Sequence, residues 1–139
     1  MLTQSIFAAA PRGDCKCSYR FTEVLSAGAI PVYMGDNWVW PFRSELIPWE
    51  ECAVILPERD VDKTLAVLQN ISLQERCQRR QKCYTIYKNY METGVGTITG
   101  IVESLVRVAE EGAQGLPHAN LSGYHCQVDK QNPYWCNYA

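Results

Sequence analysis

The residues best suited to chemistry lie near the N-terminus, in a turn that follows a short apolar segment. Arg12 and Arg20 carry guanidinium groups, which bind phosphate oxygens through a fork of donors. Gly13 allows the backbone to approach a ligand closely, and Ser18 has a hydroxyl that can cap a helix or donate to a ligand. Glu23 adds a carboxylate, which can accept hydrogen bonds from two ribose hydroxyls. Together these residue types predict a site for a diphosphate attached to a ribose.

The same residues also have an ordinary structural explanation. Serine, arginine and glutamate are common at helix N-termini, where they cap the backbone or pair on the surface. Arg20 and Glu23 are three residues apart, so they can pair with each other on one helix. The segment also lacks both the dinucleotide fingerprint G-x-G-x-x-G and a lysine-serine P-loop. Residue types and spacing therefore leave both interpretations open.

A strand–helix–strand unit is predicted to position this turn. Residues 5–10 are mainly apolar and are followed by Pro-Arg-Gly, which is typical of a buried strand entering a turn. Ser18 is predicted to cap a helix that runs to about Ala27, and Gly28 to supply its left-handed C-terminal position. Residues 30–34 are predicted to form the second strand. In such units ligands bind where strands end and helices begin, so the site is expected at the carboxyl edge of a parallel sheet.

The remaining elements are predicted from periodicity. Residues 35–49 indicate a long loop with one helical turn, and residues 53–56 a third strand. Three helices follow, and the charged run over residues 75–82 is expected to be a solvated helix face. Residues 1–111 are predicted to form the domain and residues 112–139 an irregular or disordered tail. The core-facing stripes of the three helices are predicted to be Val61, Leu65 and Leu68; Leu73, Cys77, Tyr84, Tyr87 and Met91; and Ile98, Ile101, Val102, Leu105 and Val106.

Polar and aromatic residues follow the second predicted strand at the same edge. Asp36 can contact a sugar or base, but Gly-Asp-Asn is also a turn signal, and the turn is the favoured interpretation. Trp38, Trp40, Phe42 and Trp49 can stack on a ring of the ligand. At this density in a loop that covers a sheet edge, we expect them to fill the core instead.

Composition excludes several classes of function. The 139 residues carry 13 basic and 15 acidic side chains, so no basic field recruits nucleic acid. The longest apolar run, residues 6–10, is far too short to span a membrane, and no cleavable signal peptide is visible. Seven cysteines and two glycosylation sequons, at Asn70 and Asn120, favour a luminal protein.

The sequence alone does not determine how the cysteines pair. The odd number leaves at least one thiol outside any intrachain pairing. A Cys126–Cys136 disulfide is plausible, whereas His118 and His125 match no compact zinc-ligand spacing with those cysteines. Cys15 and Cys17, which flank the turn, are expected to be passive loop residues. We therefore expect neither a metal site nor a bound cofactor.

An ordered set of motifs resembles the exostosin family, glycosyltransferase family 47. The likeness runs through about three quarters of the chain without large gaps. It is carried by Phe7-x-x-x-Pro11-Arg12-Gly13, Ser18-x-Arg20-Phe21-x-Glu23-x-Leu25, Ala27-Gly28-x-Ile30-Pro31-Val32, Trp38, Pro41-Phe42, Trp49 and Ala53-Val54.

The resemblance implies a GT-B architecture of two Rossmann-like domains, of which this chain is the C-terminal, nucleotide-sugar-binding one. Arg12, Gly13, Ser18 and Arg20 match positions expected near the donor diphosphate, and Glu23 matches the ribose ligand. The implied activity is inverting transfer of a sugar from a UDP- or GDP-sugar to a polysaccharide or glycan. The implied location is the Golgi membrane or lumen. No metal is required on this scheme.

The chain also departs from the family pattern. Ala8 stands where the family has a cysteine, so a disulfide at that position is not expected. The acceptor domain, stem and membrane anchor are not recognisable, so the chain is expected to be part of a larger protein. The catalytic base is expected in that other part and is unknown here. Two alternatives remain: a non-catalytic nucleotide-sugar-binding fragment, and an unrelated α/β nucleotide-binding protein.

Overall fold

A small parallel sheet organises the N-terminal part of the chain. The computed structural model describes residues 4–13, 18–42, 46–113, 127–128 and 136–137. The chain divides into two compact units, Met1–Ser104 and Leu105–Ala139. The first unit contains strands β1 (Phe7–Pro11), β2 (Ile30–Met34) and β3 (Val54–Leu56), all parallel and in the order β1-β2-β3. The predicted α/β class with parallel strands is confirmed.

The register of the sheet aligns the carboxyl ends of the three strands. Pro11 lies opposite Met34, and Met34 lies opposite Leu56. The ladder continues one residue further, because the Arg12 amide donates to the Met34 carbonyl (3.1 Å) and the Gly35 amide donates to the Leu56 carbonyl (3.0 Å). Residues that follow each strand therefore emerge side by side at one edge, where open α/β sheets bind ligands.

Helix α1 (Tyr19–Ser26) connects β1 to β2 and is bounded as the sequence predicts. The Ser18 hydroxyl caps it by accepting a hydrogen bond from the Arg20 amide at 3.2 Å. Gly28 ends it with φ 72°, a conformation that glycine adopts without a steric penalty. The helix buries Phe21 and Leu25 in the core, so both its ends and its buried face agree with the sequence prediction.

The later helices have the predicted order but different buried faces. They are α2 (Trp49–Cys52), a 3₁₀ helix (Glu58–Lys63), α3 (Thr64–Asn70), α4 (Leu73–Tyr90) and α5 (Gly94–Ala113). Tyr87 and Met91 pack against the core as predicted, but α4 buries Cys83 and Ile86 instead of the rest of its predicted stripe. The predicted stripes are wrong at these exposed residues: Val61, Leu65, Leu73, Cys77, Tyr84, Ile98, Ile101, Val102, Leu105 and Val106.

Arginines occupy much of the α4 face that turns toward the protein. Arg76 Nε donates to the Ile71 carbonyl at 2.8 Å, and Arg79 Nη1 donates to the carbonyls of Glu50 and Ala53 at 2.7 and 2.9 Å. The prediction of a solvated face over residues 75–82 is therefore wrong for these side chains. Periodicity could not reveal this, because long arginine stems pack on apolar surface while their heads satisfy backbone carbonyls left open at helix ends.

A disulfide that the sequence analysis did not assign crosslinks the core. Cys52 at the end of α2 is bonded to Cys83 in α4, and both residues are almost fully buried. Cys77 is a free, exposed thiol. Cys15 and Cys17, as well as the tail residues His118, His125 and Cys126, lie outside the described residues. The second unit contains two short antiparallel strands, β4 (Gln127–Val128) and β5 (Cys136–Asn137). Most of residues 112–139 lie outside the described residues, so the irregular or disordered tail stays a prediction.

Candidate functional site

The carboxyl edge of the sheet gathers one charged residue from the end of each strand. Arg12 follows β1, Asp36 follows β2 and Glu58 follows β3. Arg12 Nη1 lies 3.6 Å from Glu58 Oε1, with the two side chains 41% and 54% exposed. Contact between these two residues, 46 positions apart in the sequence, depends on the parallel register of the whole sheet. The pair leaves both charged groups accessible to a ligand from solvent.

A buried tyrosine hydroxyl lies beneath these charges. Tyr33 is 1% exposed, and its hydroxyl has no hydrogen-bond partner among the described residues. Burial raises the pKa of Tyr33 above its ordinary value, nearby Arg12 opposes the rise, and the charges of Glu58 and Asp36 add to it. The three strand-end residues thus act on a single hydroxyl. This places Asp36 at the same edge as Arg12, as predicted, although its contact with a ligand remains untested.

Gly35 lies between the Tyr33 hydroxyl and the Arg12 side chain. Its φ is 156°, and a Cβ at this position would lie 2.5 Å from the Tyr33 hydroxyl and 3.0 Å from Arg12 Cβ. Such distances are shorter than van der Waals contact, so a larger residue would displace one of these side chains. Glycine therefore allows Tyr33 and Arg12 to approach each other across the backbone of the edge.

The start of α1 supplies the second group of predicted ligand residues. Ser18 caps the helix, and Arg20 Nη1 pairs with Glu23 Oε2 at 3.0 Å one turn along it. The ordinary structural roles that the sequence allows, a serine cap and an Arg20–Glu23 surface pair, are therefore both present. The pair is 53% and 57% exposed, so both side chains are also accessible to a ligand. Gly13, exposed and next to Arg12, lies at the same end of β1, and the ligand roles of all these residues stay predictions.

Aromatic side chains fill the space behind the edge. Trp49 is fully buried and stacks on Trp40, with ring centroids 5.7 Å apart and planes 14° apart. Trp38 packs on Tyr33 with centroids 4.2 Å apart, and Phe21 contacts Trp38, Trp40 and Trp49. These contacts confirm the core-filling interpretation. They also join β2 to α1, because Trp38 contacts both Tyr33 and Phe21.

Glu58 is the residue that the sequence analysis missed. The sequence predicts no site residue in the segment that follows the third strand. A charged residue soon after a predicted buried strand was nonetheless a usable signal, because the same rule identified Arg12 and Asp36. What the sequence could not show was that β3 pairs with β2 and that Glu58 therefore lies beside Arg12.

The chemistry available at this edge is recognition of an anion and of hydroxyl groups. Two guanidinium groups and the positive end of the α1 dipole favour phosphate oxygens, and the carboxylates can accept from sugar hydroxyls. Within the described residues, no three His, Cys, Asp or Glu side chains lie close enough to hold a metal ion. None of the described helices is long and apolar enough to cross a membrane.

Comparison with known proteins identifies the family. The Exostosin GT47 domain matches residues 1–71. An Exostosin-1 homolog of Caenorhabditis elegans is 33% identical over 93 residues, which cover 67% of this chain and 24% of that protein. Exostosin-1 of Drosophila melanogaster is 31% identical over 117 residues, 84% of this chain and 15% of that protein. The chain thus spans a quarter or less of the length of these relatives. On these matches, the chain belongs to the exostosin GT47 family.

Proposed function

We propose that this chain is the donor-binding part of a glycosyltransferase with GT-B architecture. One observation carries the proposal: in a chain of the exostosin family, Arg12 and the start of α1 lie at the carboxyl edge of a parallel sheet. That edge is where Rossmann-like domains hold nucleotides. The donor is a UDP-sugar or GDP-sugar, and the acceptor is a polysaccharide or glycan.

The diphosphate is proposed to bind between the first strand and the first helix. The positive end of the α1 dipole attracts phosphate oxygens. Ser18 and Arg20 then contact one phosphate, while Arg12 and the backbone at Gly13 contact the other. Glu23, one turn along α1, accepts from the ribose hydroxyls. Asp36, at the adjacent strand end, is within reach of the sugar or base.

Catalytically, these residues stabilise the leaving group. As the anomeric bond breaks, negative charge grows on the diphosphate, and guanidinium donors that already contact the bound donor offset that charge. An inverting mechanism also needs a base to deprotonate the acceptor hydroxyl. We propose that this base belongs to a second domain, so the 139 residues alone bind donor without transferring sugar. In this scheme arginines, not a divalent cation, neutralise the diphosphate.

The core disulfide supports a luminal location for the protein. Disulfides persist in oxidising compartments and are rare in reducing ones, and Cys52–Cys83 links two helices within the core. We propose the Golgi lumen, in keeping with glycan synthesis.

Titration of UDP into the purified chain tests the proposed site. Arg20→Ala should weaken UDP binding at least tenfold, because it removes a charged fork of donors from the diphosphate. Lys88→Ala is the matched control, since Lys88 also forms an exposed helical pair, with Glu92, but lies on α4. Equal UDP affinities for wild type and Arg20→Ala would contradict the assignment. In a longer protein that contains this domain, Arg20→Ala or Glu23→Ala should reduce sugar transfer at least tenfold.

A further inference from the structure

The two arginines proposed to bind phosphate are each already paired with a glutamate, but in different ways. Arg20 and Glu23 lie on one helix at i,i+3, and their pair follows from helical spacing. Arg12 and Glu58 are brought together only by the fold, since Arg12 follows β1 and Glu58 starts the 3₁₀ helix after β3. The second pair therefore connects the first and last strands of the sheet across its carboxyl edge.

The Arg12–Glu58 contact is loose. It joins one nitrogen and one oxygen at 3.6 Å, longer than a good charged hydrogen bond, and both side chains are about half exposed. A diphosphate offers Arg12 several charged oxygens with the geometry for two parallel bonds. Exposed single pairs contribute little free energy, so the carboxylate can be displaced.

The net charge of the carboxyl edge also indicates that a carboxylate there opposes binding of a diphosphate. Arg12 and Arg20 are the cations predicted to face the ligand, whereas Glu23, Asp36 and Glu58 are carboxylates at the same edge. This set carries one net negative charge before a diphosphate arrives. The segment that follows Glu58 does not change the balance, because its two cations, Arg59 and Lys63, are matched by two carboxylates, Asp60 and Asp62, and both cations pair with Asp60. Removing one carboxylate would therefore favour binding of an anion.

We propose that Glu58 is a competing counter-ion, which holds Arg12 in the empty site and yields it to the donor diphosphate. This inference rests on the proposed function and adds a residue that sets donor affinity. Glu58 acts on the ligand through Arg12, and its carboxylate moves away from the guanidinium when the diphosphate binds.

Calorimetric titration of UDP and of inorganic pyrophosphate into the Glu58 variants tests this role. Glu58→Gln should bind both ligands about two- to fivefold more tightly than wild type at low ionic strength, the range expected for loss of an exposed ion pair. The gain should largely disappear at about 1 M salt, where the Debye length is about 3 Å. Glu58→Asp, which keeps the charge, should bind more weakly than Glu58→Gln.

Glu51→Gln is the matched control for the change in net charge. Glu51 forms a similarly exposed pair with Lys82 at 2.8 Å, but it lies in α2, which precedes β3 and is therefore at the opposite end of that strand. Its affinities should equal those of wild type. Weaker or unchanged binding by Glu58→Gln would overturn the competing role. Pyrophosphate binding that tightens in Glu58→Gln without any UDP binding would support Glu58 while contradicting the nucleotide assignment. Absence of binding by both ligands would overturn both proposals.

Discussion

Tyr33 has the most unusual environment of any single residue at the carboxyl edge. Its ring is packed against Trp38, and its buried hydroxyl lies close to where a Cβ of residue 35 would be. A buried hydroxyl without a partner costs free energy, because it has lost its hydrogen bonds to water. No sequence pattern could indicate this, since alternation predicts only which strand residues are buried.

Tyr33→Phe is therefore expected to stabilise the protein. Removing the unpaired hydroxyl should raise the free energy of unfolding by about 1 kcal/mol, because the buried polar group is lost and the ring packing is kept. Urea unfolding at neutral pH measures the change. A loss of 1 kcal/mol or more would show that the hydroxyl forms a stabilising bond.

The stability gap between Tyr33→Phe and wild type should widen at alkaline pH. The pKa of Tyr33 is raised in the folded protein, mainly by burial, so folding favours the neutral form. Its contribution is fully present below the unfolded pKa of about 10. As pH rises above that value, the unfolded chain loses the proton first and wild-type stability falls until the folded pKa is passed. Urea unfolding at about pH 8 and about pH 11 measures the gap, and an unchanged gap would contradict this account.

Two helices of the chain begin at a capping serine, which allows a matched comparison. Ser18 caps α1 at the proposed site, and Ser72 caps α4, with its hydroxyl accepting from the Glu75 amide at 3.2 Å. The sequence predicts the Ser18 cap, and the same rule applies to Ser72, because capping depends on local residue order. The buried face of α4 could not be predicted from the sequence, because it depends on which backbone carbonyls its arginines reach.

Replacement of either serine by alanine should cost about 1 kcal/mol of unfolding free energy, the usual value of an N-cap. Only Ser18→Ala should also weaken UDP binding, because α1, unlike α4, starts at the carboxyl edge. Chemical denaturation and UDP titration of both variants give the comparison. Equal effects of the two variants on UDP affinity would remove Ser18 from the proposed site.

At the scale of the whole molecule, the disulfide and the sheet register hold distant segments together. Cys52 and Cys83 are separated by 31 positions, and their bond ties the segment before β3 to the longest described helix of the first unit. The strand–helix–strand unit and the position of its carboxyl edge were predictable, because both follow from local patterns and parallel topology. The contact between Glu58 and Arg12 and the Cys52–Cys83 bond were not predictable, because each joins residues far apart in the sequence.

Replacing Cys52 and Cys83 with alanine is expected to lower the free energy of unfolding by about 3 to 4 kcal/mol. This is the chain-entropy value for a loop of this length. Cys77→Ala, at the exposed free thiol, is the control and should have little effect. Denaturation under non-reducing conditions measures both variants, and a loss below 1 kcal/mol in the double variant would show that packing alone stabilises this region.

The most direct test of the central claim is the nucleotide selectivity of the purified chain, measured by calorimetric titration with UDP, GDP and ATP. A donor-binding domain of an exostosin-type glycosyltransferase should bind UDP or GDP saturably, and Arg20→Ala should lose at least tenfold in that affinity. ATP should bind more weakly. Saturable binding of ATP, with no binding of UDP or GDP, would contradict the account.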